Sequence, residues 1–243
     1  VTSDVEGAPY DPELMAAVAD LGEALRGLVD ASVRTTVPAA ELHEVAAVVR
    51  AARERLAAST RPATRLPVLD DPVAFRRVYN PVSGVGSALA PPVLFRSATA
   101  DGADGDVVAE TSFGLAYEGP PGFLHGGMSG LVMDQALGAA AIRAGLWGMT
   151  ARLELDYRRP VPLDTPVLLR ARVTEHAGRK AVVTGTIAPA SAPDTPLVEA
   201  RGLFVLPREE LRASYFAEIT DASGRHAPPS RPTDATAPSG TGA

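Results

Sequence analysis

Cysteine is absent from these 243 residues, which excludes disulfides, thiolate catalysis and Cys-ligated zinc or iron–sulfur centres. Lysine occurs once, as Lys180, so arginine carries nearly all the positive charge. Positive charge is itself in deficit. A net charge of −6 and a pI near 5.3 argue against a nucleic-acid binder, which carries a basic surface. No apolar run approaches the ~18 residues of a transmembrane helix. The opening VTSDVEGAPY has no basic segment ahead of an apolar one and does not read as a signal peptide. A cytoplasmic chain is the expectation, with no membrane and no nucleic acid among its partners. What is present, 46% hydrophobic and 21% charged residues, is ordinary for a folded soluble domain and excludes a fully disordered chain.

Three zones follow. Residues 1–72 form a helical extension and linker, 73–207 the main domain, and 208–243 a short helix and a disordered tail rich in Pro, Ser and Thr. In the first zone Leu14, Val18, Leu21, Leu25 and Leu28 recur at spacings of three and four, as one apolar helical stripe does. Leu42, Val45, Val49, Ala52 and Leu56 repeat the pattern after Pro38, which fits a helix's first turn. An amphipathic helical hairpin packed on the main domain or on a partner is expected.

The main domain reads as strands at 93–98 and 107–119 around the turn DGADGD, a helix from about 126 to 144, then strands at 151–159, 167–176, 181–189 and 196–206. Leu153, Leu155 and Tyr157 alternate with polar neighbours, so that strand has one buried face. Two strands, one long helix and four strands make an α+β meander. From about residue 218 the composition cannot bury enough apolar surface to offset ordering.

The chemistry concentrates in GPPGFLHGGMSGLVMDQALG, residues 119–138. His125 is followed by Gly126 and Gly127 at the start of the long helix, where backbone N–H groups lack intrahelical partners. Such donors suit an oxyanion hole, each worth about 3–4 kcal/mol in a transition state; equally, paired glycines permit close packing. Asp134 stands in an apolar stretch that reads as buried almost all round, where a lone carboxylate is costly. It is either catalytic, on the same helical face as Gly127 and ~10 Å from it, or paired with Arg143 or Arg152.

Weaker signals point elsewhere. Gly127-Met128-Ser129-Gly130-Leu131 lacks the last glycine of a nucleophile elbow, and Gly84-x-Gly86 lacks the third glycine of a dinucleotide fingerprint. His43, His125, His176 and His226 have no metal-ligand spacing, and no metal is expected. Residues 151–180 hold seven basic groups against four acids, a local net of +3 that either binds a phosphorylated ligand or is a solvated strand face.

Taken together, GPPGFLHGG, Asp134 in VMDQALG, Thr150 in MTARL, Tyr157-Arg158-Arg159-Pro160 and Gly178-Arg179-Lys180 resemble the acyl-CoA thioesterases of the hotdog fold, in the PaaI-like branch with thioesterase superfamily member four. The resemblance covers about residues 80–207. It implies an antiparallel sheet wrapped around one long helix, and homodimers or dimers of dimers with sites at the subunit interface. It implies Asp134 as general base or nucleophile, the Gly126 amide as oxyanion donor, and Thr150 positioning water or substrate from the other subunit. His125 would orient the loop and, with Gly127 and Asp156, belong to the substrate-binding set, in which Arg158, Arg159, Arg179 and Lys180 would lie near the CoA. Asp156 stands where relatives often carry Asn, and Gly119 stands in place of another Asn. The implied reaction is hydrolysis of an acyl-CoA to acid and CoA, with no cofactor beyond the CoA of the substrate. The rivals are a hotdog enoyl-thioester hydratase and a non-catalytic CoA or acyl-ligand sensor.

Overall fold

The computed structural model describes residues 11–71, 76–98 and 106–226. The opening decapeptide, most of the DGADGD turn and the tail beyond residue 226 lie outside these described residues.

Apolar alternation produces six strands in one antiparallel sheet: β1 (Arg96–Ser97), β2 (Val107–Thr111), β3 (Met149–Tyr157), β4 (Val167–Ala177), β5 (Lys180–Pro189) and β6 (Val198–Val205). Their spatial order is β1-β2-β4-β5-β6-β3, which leaves β3 on an edge. The first expected strand, 93–98, shrinks to Arg96–Ser97, and at its start Val93 donates its N–H to the Val82 carbonyl at 2.9 Å instead of to a strand. The second stops at Thr111 and gives way to a single 3-10 turn at Leu115–Tyr117.

One face of the sheet is apolar and carries the long helix α3 (Gly126–Arg143). Val167 and Leu169 of β4, Val183 and Ile187 of β5 and Val198 and Phe204 of β6 are buried there with Val132, Met133, Ala136, Leu137 and Ala140 of α3. At Gly185 a Cβ would stand 2.7 Å from the Met133 Cε, so the missing side chain sets how closely helix and sheet approach. The expectation that α3 is enclosed all round is corrected. Gly127 and Leu131 are exposed and Asp134 is only half-buried, so one side of the helix is uncovered.

The N-terminal zone contains two helices but no hairpin. Helix α1 (Pro12–Arg34) is capped by Asp11, whose carboxylate accepts the Leu14 N–H at 3.0 Å. It lies on the domain through Gly22, pressed against the Val85 carbonyl, and through Arg26, which donates to the Val85 and Ser87 carbonyls at 2.8 and 2.9 Å. Gly84 and Gly86 therefore belong to a packing loop beneath α1, not to a nucleotide site. Helix α2 (Ala39–Ala57) buries no residue and, among the described residues, packs substantially on no other helix or strand. Four extended residues, 35–38, hold it away from α1.

At the other end, α4 (Glu209–Tyr215) is followed by an ordered turn, where a tail was expected from about 218. Thr220 bridges to Arg65, and Asp221 accepts hydrogen bonds from the Ser223 hydroxyl and from the Ser223 and Arg225 amides. These bonds order a segment that apolar burial alone does not. They hold the Asp221 carboxyl at about 2, below its ordinary 3.8, with the Ser223 hydroxyl contributing most.

Candidate active site

The loop entering α3 is held by backbone bonds: Gly119 donates to the Phe123 carbonyl and His125 to the Tyr117 carbonyl, both at 2.9 Å. Gly122 takes the left-handed conformation (φ +81°) that a side chain disfavours. A Cβ on Gly119 would lie 2.7 Å from the His125 Cα, so no side chain fits where relatives carry Asn.

His125 is the N-cap of α3, and its Nδ1 accepts the Gly127 N–H at 3.0 Å. Two consequences follow. The neutral imidazole carries its proton on Nε2, and the Gly127 amide is committed to the cap. The expected pair of glycine donors therefore reduces to one. Among the described residues the Gly126 N–H has no protein acceptor, as the first turn of a helix dictates. On the other side of that residue the Gly126 carbonyl accepts from the Tyr157 hydroxyl at 2.8 Å, which ties the helix start to the end of β3.

Two turns along α3, Asp134 accepts a hydrogen bond from the Thr150 hydroxyl at 2.8 Å. Neither Arg143 nor Arg152 is its partner: Arg143 donates to the Phe95 carbonyl and Arg152 pairs with Glu154. Strict alternation from Leu153, Leu155 and Tyr157 would aim Thr150 at the outer face. The register against β6 shifts between Thr150 and Arg152, leaving Ala151 as the extra residue of a bulge. Thr150 then pairs with the buried Phe204 and turns inward to the helix. Thr150 and Asp134 therefore come to any site as a pair from one chain, whichever subunit supplies the remaining groups.

The cationic residues divide. Arg158 follows β3 and is held by Glu199 at 2.6 Å and Asp156 at 3.9 Å, which raises its pKa above the ordinary guanidinium value. Arg159 is exposed beside it: its backbone N–H donates to the Leu197 carbonyl at 3.0 Å, and its guanidinium has no ion-pair partner among the described residues. Arg179 and Lys180 occupy the tight β4–β5 turn, where Lys180 aligns with Val205 and so with Met149, the opposite end of β3. At ~3.3 Å per residue the two groups are ~25 Å apart, so one chain does not gather all four around one ligand. The outward carboxylate of Asp156 joins the Arg158 cluster, not the Asp134 side of the sheet. Tyr157 was read in the sequence as a member of the strand's buried face and as part of a motif, but its side chain is exposed. Its role could not be read there, because a hydroxyl-to-carbonyl bond across 31 residues has no local signature. Ser129 is buried within α3, so the elbow reading fails.

Comparison with known proteins gives a consistent result. Residues 121–201 match the family model described as Thioesterase superfamily. A solved thioesterase superfamily protein is 36% identical, covers 77% of this chain and 94% of its own, and superposes with a TM-score of 0.68. The chain belongs to the thioesterase superfamily. This superfamily member is also 37% identical over 92 residues to the acyl-coenzyme A thioesterase THEM4 of Mus musculus, and 39% identical over 93 residues to that of Xenopus laevis. Each match covers 38% of the chain, and the chain spans about two fifths of the length of these curated relatives. The hotdog architecture expected from the motifs is thus the superfamily's fold, with Asp134 and the start of α3 inside the matched segment.

Proposed function

We propose that this chain is an acyl-CoA thioesterase that uses Asp134 to activate water. The observation that carries the reading is the Thr150–Asp134 hydrogen bond on the uncovered side of α3, on the same helix as the unpartnered Gly126 amide. One Asp134 oxygen is oriented by Thr150, and the carboxylate accepts the proton of an attacking water. The water oxygen bonds to the thioester carbon, the oxyanion takes the Gly126 N–H, and collapse expels the CoA sulfur, which receives the proton. Free acid and CoA result, with no resident metal or cofactor called on.

Gly126 and Asp134 are eight residues apart, ~12 Å along one helix, too far for both to touch one carbonyl. Second copies supply the complement. The uncovered side of α3 and the open edge of β3 support a homo-oligomer in which the amide and the carboxylate at each site come from different subunits. The same arrangement brings the Arg158–Arg159 end of one chain towards the Arg179–Lys180 end of another.

An enoyl-thioester hydratase needs an acid–base pair such as Asp with His, but the Nδ1 lone pair of His125 is spent on the helix cap. The test is thiol release from a panel of aliphatic and aromatic acyl-CoAs, with wild type beside Asp134→Asn. Turnover reduced ~100-fold or more with an unchanged melting temperature supports the reading. Equal turnover in both proteins refutes the role of Asp134. Stabilisation by CoA esters without hydrolysis would identify a sensor.

A further inference from the structure

Helix α2 carries an apolar face that nothing among the described residues covers. Leu42, Val45, Val49 and Leu56 are 46%, 42%, 39% and 55% exposed, and Val48 is 70% exposed. Burying none of these while fixing nineteen residues as a helix is unfavourable for an isolated segment. With Ala52, the residues Leu42, Val45, Val49 and Leu56 recur at 3-4-3-4, the spacing of a coiled-coil seam.

The residues flanking that seam identify the occupant. Taking Leu42, Val49 and Leu56 as the first positions of successive heptads, Glu41, Val48 and Arg55 fall in one column seven residues apart. We infer that α2 pairs antiparallel with α2 of a second copy about a twofold axis at Val48. Each Val48 then meets its symmetry mate, and Glu41 faces Arg55 of the partner subunit twice over. A parallel pair brings Glu41 opposite Ala46 and Val48 opposite Arg53, which forms no ion pair. The helix is complementary to itself in one direction only, as an isologous contact requires. The polar side mixes Glu44, Arg50 and Glu54 and lacks the basic excess of a membrane-surface helix. This surface holds no site residue, so it stands or falls apart from the thioesterase reading.

The test exploits the absence of cysteine. In the full chain, Val48→Cys introduces a single thiol at the proposed axis, and Glu54→Cys introduces one on the far side of α2. A short bis-maleimide should yield covalent dimer as the main product of Val48→Cys and little of it from Glu54→Cys. Adding Glu41→Arg to Val48→Cys replaces two attractions with two repulsions and should weaken pairing about ten-fold. Adding Arg55→Glu as well should restore it. These positions are exposed, and circular dichroism checks that α2 persists. Equal cross-linking at positions 48 and 54, or cross-linking indifferent to charge reversal, overturns the inference. Either result would assign the apolar face to a different partner.

Discussion

At the residue scale, the candidate chemistry depends on what each polar atom is already bonded to. Thr150→Val removes the one hydroxyl that bonds Asp134 among the described residues while keeping the side chain's shape. We expect kcat to fall about ten-fold with little change in KM, since one hydrogen bond to a charged group is worth ~1.5–3 kcal/mol. Unchanged kcat would remove Thr150 from the mechanism. Tyr157→Phe should lower stability by ~1 kcal/mol in urea unfolding, through loss of the bond to the Gly126 carbonyl. Asp221 offers a pH-dependent case. Its folded pKa is depressed to about 2 from 3.8, so the turn it holds is fully favoured above pH 3.8 and loses that contribution as pH falls towards 2. In an NMR titration the Ser223 amide should report a midpoint near 2, and Ser223→Ala should move the Asp221 midpoint up towards 3.8. Asp134 itself was conspicuous in the sequence as a carboxylate among apolar residues. Its partner was not, because arginines were the obvious counter-charges and the hydroxyl reaches it only through a change of strand register.

At the scale of elements, the bulge at Ala151 and the cap at His125 are where pattern and geometry part. The strands read from the sequence fall within two residues of both ends of β3, β4, β5 and β6, and the long helix within one residue of α3. Alternation cannot reveal an inserted residue, so the face on which Thr150 lies was beyond it. The glycines were legible as a helix start but not as one free amide and one occupied amide. That distinction rests on the His125 ring folding back onto Gly127. Gly119→Ala tests the packing behind the cap. Its Cβ would meet the His125 Cα at 2.7 Å, so we expect ~1–3 kcal/mol of destabilisation and loss of hydrolysis together. Conversely, Leu137→Ala in the middle of α3 should cost ~2–5 kcal/mol in unfolding while sparing per-molecule activity below the melting point. Full activity in Gly119→Ala would show that the loop has more freedom than its bonds imply.

At the scale of the whole molecule, the sheet and α3 form a core left open along β3 and the uncovered side of α3, while α2 stands off that core with an apolar face of its own. The sequence announced two amphipathic helices, yet the same apolar spacing serves α1, which docks on its own domain, and α2, which does not. Only the local chemistry separates them: Gly22 and Arg26 give α1 a backbone contact and two carbonyl anchors, and α2 has no counterpart. Arg26→Ala should therefore release α1 and expose the loop at 85–87 to limited proteolysis, leaving cleavage elsewhere unaltered.

The arginine-rich termini of β3 and β5 carry a further consequence. Guanidinium groups keep their charge across the whole range in which enzymes are assayed. A polyanion held by Arg158, Arg159 and Arg179 would bind with an affinity nearly indifferent to the proton concentration. Dissolved electrolyte would act on it instead, since counter-ions at 0.15 M screen exposed charges beyond ~8 Å. On the proposed thioesterase reading, ionic strength is the variable that would loosen the phosphate end of an acyl-CoA while leaving its acyl end in place.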